Sequence, residues 1–173
     1  MFTNNARILL VGIFLAMQLF FIYQHVYELA AVMVLFIAFI IWGYFKEGTV
    51  IMAAKSFHKK DYNKTELLLR QISHPNWLSK KRRGFYEFIM GGVLLQKQDF
   101  DEAEKHYELA AQFPLRSAND HVAALVHVAN ISIRQHNYDK ARAYLQLADK
   151  HEGKITAKMK EVISKLEKEL KQH

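Results

Sequence analysis

The chain has 173 residues, enough for one moderate domain or for a small domain with an appendage. It contains no cysteine, which excludes a disulfide framework and a thiolate metal site. Its net charge of +7 and pI near 9.5 favour an acidic partner, either anionic lipid or nucleic acid. Lipid is the better candidate, because a long apolar segment precedes the charged remainder of the chain.

The N-terminal segment is apolar almost throughout. Between Ile8 and Phe45, Glu28 is the one side chain that is charged at neutral pH. The segment divides into two runs, at about 8–25 and 28–45. Because a spanning helix needs about 20 apolar residues, with a lower limit near 17, the runs predict a transmembrane helical hairpin.

Two other interpretations of this segment are less favourable. A cleaved signal peptide is disfavoured, because no small-residue cleavage site follows the first run and a second apolar run comes at once. A hairpin buried in a soluble core is disfavoured as well, because the runs are apolar on every side of the helix.

Basic residues predict the orientation of the hairpin. Arg7 precedes the first run, and no lysine or arginine lies between the runs. Several lysines follow the second run: Lys46, Lys55, Lys59, Lys60 and Lys64. The positive-inside rule then predicts a multi-pass protein of the bacterial inner membrane with both termini in the cytoplasm.

After the hairpin, a short pattern occurs three times at a spacing of 38 residues. Each copy has a helix-capping residue, then an aromatic residue, and a small residue three positions further on. The copies are Asp61-Tyr62 with Thr65, Asp99-Phe100 with Ala103, and Asn137-Tyr138 with Ala141. A fixed period of this length indicates a repeat array, so the acidic residues at the turn are interpreted as caps.

Helix signals divide the remainder into pairs. Pro75 and Pro114 end the first and second pairs, Ser117 with Asp120 opens the third, and Gly153 ends it. We therefore predict three helix pairs over 47–153. Apolar residues at steps of three and four then predict an amphipathic capping helix over 154–173.

These motifs resemble the tetratricopeptide repeat (TPR) family over about 48–152. The middle copy matches best, with Gly91, Phe100, Ala103, Tyr107, Ala110 and Pro114 at or next to consensus positions. The period departs from the usual 34 residues by one helical turn. The predicted fold is all-α, with a transmembrane hairpin, a short TPR-like α-solenoid and a C-terminal capping helix.

The resemblance implies a protein-interaction scaffold, whose ligand surface is the concave face lined by the first helix of each pair. Carried onto this chain, that face supplies Phe85, Phe88, Gln96, Val126, His127, Asn130 and Arg134. The lysines of the family's carboxylate clamp for chaperone tails are missing. A groove that mixes aromatic and polar groups suits an extended or helical peptide. The alternative is that Phe85 and Phe88 belong to the core.

The predicted function is a membrane-anchored scaffold that presents this groove at the cytoplasmic face. The alternative is an accessory or assembly subunit of a membrane enzyme or transporter complex, docking through its transmembrane helices.

A basic run, Lys80, Lys81, Arg82 and Arg83, lies in the first turn of a predicted helix, where the helix dipole disfavours cations. Anionic lipid headgroups would hold it there, and a solvated helix end is an equal alternative. Nucleic acid is not predicted, since no recognition motif accompanies the run.

No catalytic, metal or cofactor site is predicted. The nine histidines form no HExxH motif and no pair at i, i+4. No nucleophile elbow or phosphate-binding loop occurs either. The sequence therefore predicts a protein that is not an enzyme.

Overall fold

The computed structural model describes residues 4–172, without the side chains of 4–8, 41, 44–47 and 152. Within this range it contains α-helices and two short 3-10 turns and no strand, as predicted. The α-helices are α1 (Asn4–Tyr23), α2 (Tyr27–His58), α3 (Tyr62–Arg70), α4 (Lys80–Gln96), α5 (Phe100–Ala111), α6 (Ala118–Arg134), α7 (Tyr138–Asp149) and α8 (Ala157–Leu170). The chain divides into two compact units, the first ending at Gly48 and the second beginning at Thr49.

The first unit contains α1 and the larger part of α2. The two helices meet through the rings of Phe14 and Phe36, which stack at a centroid distance of 5.7 Å. Many large apolar side chains of this unit remain exposed, among them Leu19, Leu35 and Phe39. The two helices overlap the apolar runs at about 8–25 and 28–45, but α1 begins earlier, at Asn4, and α2 ends later, at His58.

The transmembrane interpretation of this hairpin is not supported. Among the described residues, no helix combines the length and the apolar character that crossing a membrane requires. A spanning helix needs about 20 apolar residues, and α1 opens on Asn4 and Asn5 and closes at Tyr23. The prediction of a multi-pass inner-membrane protein with cytoplasmic termini was therefore wrong. Two of the cations behind the predicted orientation, Arg7 and Lys46, lie outside the described side chains.

The second unit begins within α2. The sequence assigns residues 28–45 to the second apolar run and places the first helix pair from residue 47, and a single helix, α2, covers both over 32 residues to His58. Neither a proline nor a left-handed residue interrupts it, and Gly43 and Gly48 are both helical. A glycine inside a helix costs only about 1 kcal/mol, which the helix tolerates.

The three repeat turns share one backbone geometry. The residue before each cap has a left-handed backbone: Lys60 (φ 61°), Gln98 (φ 63°) and His136 (φ 60°). Each cap side chain then accepts a hydrogen bond from a backbone N–H three residues on, as Asp61 does from Lys64 at 3.1 Å. The interpretation of these residues as helix caps is confirmed.

The same backbone turn also joins α1 to α2. His25 has φ 61°, and the N–H of Val26 donates to the carbonyl of Phe21 at 2.9 Å. The equivalent bond at the third repeat turn, from Asn137 to Ser132, measures 2.8 Å. Four helix pairs of this chain are therefore connected in one way, although the first lacks a capping side chain.

Small residues allow the repeat helices to approach closely. Thr65, Ala103 and Ala141, the small residue of each copy, are completely buried. A Cβ atom on Gly91 would lie 3.1 Å from the ring of Tyr107. The buried residues of the pairs form three neighbouring clusters, which share partly buried side chains such as Leu94 and Tyr144. Ile163, Leu166 and Leu170 of α8 belong to the cluster formed with α6 and α7.

Candidate functional site

One stripe of α6 is less buried than the rest of the helix. Asp120, Ala123, His127, Asn130 and Arg134 follow one another at steps of three and four, and all are at least partly exposed. The residues between them are mostly buried. Residues at this spacing share one face of a helix, so the stripe is a continuous surface along α6.

A matching stripe lies on α4. Phe85 and Phe88 are partly buried near its start, and Leu95 and Gln96 lie near its end. Gly92 falls between them and is buried, because a Cβ there would lie 2.6 Å from the ring of Phe57. The absence of a side chain at Gly92 lets the end of α2 pack against the middle of α4.

The first part of the groove is an apolar pocket of about 100 Å³. The end of α2 forms one wall, α4 the second and the start of α6 the third. Its lining residues are Ala54, Phe57, His58, Phe85, Phe88, Ile89, Arg116 and Asp120. A pocket of this volume holds one apolar side chain. We refer to it as the apolar pocket.

The second part is a polar pocket of about 470 Å³ between the ends of α4 and α6. Its lining residues are Leu95, Gln96, Gln98, Phe100, Asn130 and Arg134. The guanidinium of Arg134 lies 5.7 Å from the ring centroid of Phe100, within the range of a cation–π contact. Three side-chain amides surround this one cation. We refer to it as the polar pocket.

His127 lies between the two pockets along α6. Its ring stacks on Tyr107 at 4.5 Å and meets Phe88 edge-on at 6.2 Å. Burial lowers the pKa of His127 from 6.5 to about 4, so the imidazole is neutral at physiological pH. A neutral imidazole offers one donor and one acceptor to a ligand and no charge.

Six of the seven predicted groove residues line these pockets or lie between them, and Val126 does not. Val126 is 6% exposed and packs in the core formed by α6, α7 and α8. It falls one position before His127, on the stripe that also includes Val122, Ala129 and Ile133. Phe85 and Phe88 each line the apolar pocket and also pack on a core cluster, so the alternative that they belong to the core holds in part.

The basic run at the start of α4 has a partner within the protein. Nε of Arg83 lies 2.6 Å from a carboxylate oxygen of Glu87, and its Nη1 donates to Asn76 at 2.8 Å. The Nε–H does not point along the line to that oxygen, so the pair is electrostatic rather than a directed hydrogen bond. Lys80 and Lys81 are exposed. Lipid binding by this basic run stays a prediction. It assumed a transmembrane helix nearby, and the described residues contain no helix that could cross a membrane.

Sequence reasoning missed part of the groove. Ala54, Phe57 and His58 form one wall of the apolar pocket, but they were assigned only to the first helix of a poorly matching repeat. Their signal is Gly92, since a glycine in the middle of a helix indicates close approach of another element. Glu87 was also missed. Among the described residues, no cluster of three or more side chains could hold a metal ion.

Paired helices, a left-handed residue before each cap and small residues at the crossings define a TPR domain. Consistent with this class, the family model described as "SusR N-terminal TPR domain" matches residues 45–165, well over half of the chain. The chain belongs to this family. Comparison with curated proteins and with solved structures gave no match.

The family match covers residues 45–165, so it is longer at both ends than the TPR resemblance over about 48–152. It begins inside α2 and includes the first part of α8. TPR domains are typically protein-interaction modules rather than catalysts, so the fold indicates a protein-interaction scaffold. The match does not include α1 or the first part of α2.

Proposed function

We propose that the concave groove formed by α4, α6 and the end of α2 binds a segment of a partner protein. The observation that carries the proposal is the alignment of two surface stripes with two adjacent pockets. One pocket is apolar and the other is polar, and His127 lies between them. A groove with an apolar anchor and a few oriented polar groups is typical of peptide recognition.

Burial supports the same assignment. The opposite stripe of α6 is occupied by the core of α7 and α8, so the groove face is the part of α6 that remains open. On α4, the buried face contains Ile89, Met90 and Val93, which pack within the second unit. The groove is thus a surface that the fold itself leaves available.

The alternative function, docking on a membrane complex through transmembrane helices, has lost its basis. It required spans that the described residues do not provide. We therefore assign the interaction to the TPR groove.

The proposal is tested by quantitative mass spectrometry of proteins that co-purify with the full-length chain. The test variant is Phe88→Ala/Asn130→Ala, which removes one contact from each pocket. Arg142→Glu is the control, since Arg142 is exposed on α7, outside both pockets. We expect one or more proteins to be lost from the groove variant and retained by the control.

An unchanged set of co-purifying proteins would contradict the proposal. Because Phe88 also packs on the core, thermal unfolding of the variant must show that it is folded. Gln96→Ala/Asn130→Ala is the second variant, since both side chains are at the surface of the polar pocket.

A further inference from the structure

If the groove binds a partner segment, as proposed above, the size and the lining residues of its two pockets indicate which kind of segment it binds. The apolar pocket, at about 100 Å³, has room for one side chain. The polar pocket beyond it has no continuous apolar floor. A bound amphipathic helix would need a long apolar groove for a stripe of side chains at i, i+3, i+4 and i+7. The groove therefore fits an extended chain.

The charge of the polar pocket identifies the second anchor. Arg134 is its one charged lining residue, and the other polar groups there are the neutral amides of Gln96, Gln98 and Asn130. Among the described residues, no carboxylate forms an ion pair with Arg134. Its guanidinium lies over the ring of Phe100 instead. A guanidinium flanked by amide donors matches the two oxygens of a carboxylate. A single cation suits a carboxylate better than a phosphate, which has nearly two negative charges.

The distance between the pockets sets the spacing of the two anchors. Phe88 and Gln96 are eight residues apart in α4, which corresponds to about 12 Å along the helix axis. Phe85, at the far side of the apolar pocket, extends this to about 16 Å. An extended chain advances about 3.3 Å per residue, so roughly three to five residues separate the anchors.

We infer that the groove recognises an extended acidic segment of a partner protein, with an apolar side chain in the apolar pocket and an aspartate or glutamate side chain on Arg134. Along α6, His127 falls between Asp120 of the apolar pocket and Asn130 of the polar pocket. The positive net charge of the chain is consistent with an acidic partner.

The inference is tested with a random dodecapeptide phage library panned on the immobilised full-length chain. We expect enriched peptides to share an apolar residue with an aspartate or glutamate roughly three to five positions away. Arg134→Glu should weaken their binding about tenfold or more, and panning on this variant should enrich lysine or arginine at the acidic position. Arg142→Glu, with the same change of charge on α7, should leave binding within about twofold.

The outcomes separate the inference from the function on which it rests. Enriched peptides that bind through Phe88 but show no acidic preference, or that ignore Arg134→Glu, would overturn the acidic anchor and leave the groove in place. Peptides that bind as helices would overturn the extended conformation, and circular dichroism of the bound peptide detects this. No enriched peptide, or binding that is indifferent to both Phe88→Ala and Arg134→Glu, would overturn the groove itself.

Discussion

Glu87 of α4 and His106 of α5 face each other within the helix pair of the middle repeat. Oε2 of Glu87 lies 2.5 Å from Nδ1 of His106, and Glu87 is 1% exposed. The other carboxylate oxygen is paired with Arg83. A buried carboxylate is tolerated only when both oxygens have partners, so these three side chains form one unit.

The unit predicts an unequal response to single and double substitution. Glu87→Leu leaves Arg83 without its buried partner and should lower the free energy of unfolding by about 3 kcal/mol. Glu87→Leu/Arg83→Met removes the unpaired cation as well, so it should recover at least half of that loss. Urea unfolding of the two variants measures the difference. Equal losses would show that the unpaired Arg83 cation does not cause the loss in Glu87→Leu.

The left-handed residues of the repeat turns predict a stabilising glycine substitution. Gln98 has φ 63°, a conformation that costs a residue with a Cβ atom about 1–2 kcal/mol. Gln98→Gly should therefore raise the free energy of unfolding by about 0.5–1 kcal/mol, after the greater flexibility of glycine in the unfolded chain is allowed for.

Gln146 is the matched control for this prediction, since it is exposed and helical within α7. The same substitution there should destabilise the protein by about 1 kcal/mol. Thermal unfolding of both variants gives the sign. A destabilising Gln98→Gly would contradict the role of the left-handed turn.

The small residues at the helix crossings predict intolerance of larger ones. Ala103 is completely buried between α4, α5 and α6. Ala103→Leu should cost about 1–3 kcal/mol, because the added atoms must displace packed neighbours. Ala157 is exposed at the start of α8, so Ala157→Leu should stay within about 0.5 kcal/mol. Comparable effects in chemical unfolding would argue against close packing at Ala103.

His127 predicts a pH dependence of stability. Its pKa in the folded protein is about 4, against an ordinary 6.5, because burial disfavours the charged imidazole. The unfolded chain therefore binds more protons between these values, and stability falls as pH decreases from 6.5 towards 4. The loss attributable to His127 approaches about 3 kcal/mol at the lower end.

His127→Phe separates this effect from that of the acidic residues, which also titrate towards pH 4. Phenylalanine keeps the stack on Tyr107 and removes the titrating group. The difference in unfolding free energy between wild type and variant should change with pH over this range. A constant difference would show that His127 is not desolvated in the folded protein.

The repeat fold was predictable because its signals are local. The caps Asp61, Asp99 and Asn137 and the small residues that follow them determine each turn and crossing. The continuity of α2 was not predictable, because the sequence changes from apolar to charged there without a helix breaker. One helix, α2, runs through this change in composition, although the chain divides into two compact units there.

Helical periodicity predicts which positions of α6 share one face, but it does not predict every residue that lines the two pockets. Steps of three and four from His127 lead to Asn130 and Arg134. Val126, the residue before His127, was also predicted to line the groove, but it lies on the buried face of α6. The wall contributed by Phe57, and the buried Glu87, depend on contacts between distant parts of the chain. Periodicity within one helix does not contain that information.

The groove is tested most directly by the affinity of a purified partner, or of an enriched peptide, for two variants of the full-length chain. The dissociation constant is measured by isothermal titration calorimetry for Phe88→Ala/Asn130→Ala and for Arg142→Glu. We predict at least about a tenfold weakening for the groove variant and a change within about twofold for the control. Equal affinities for a folded groove variant and the control would contradict binding in the groove.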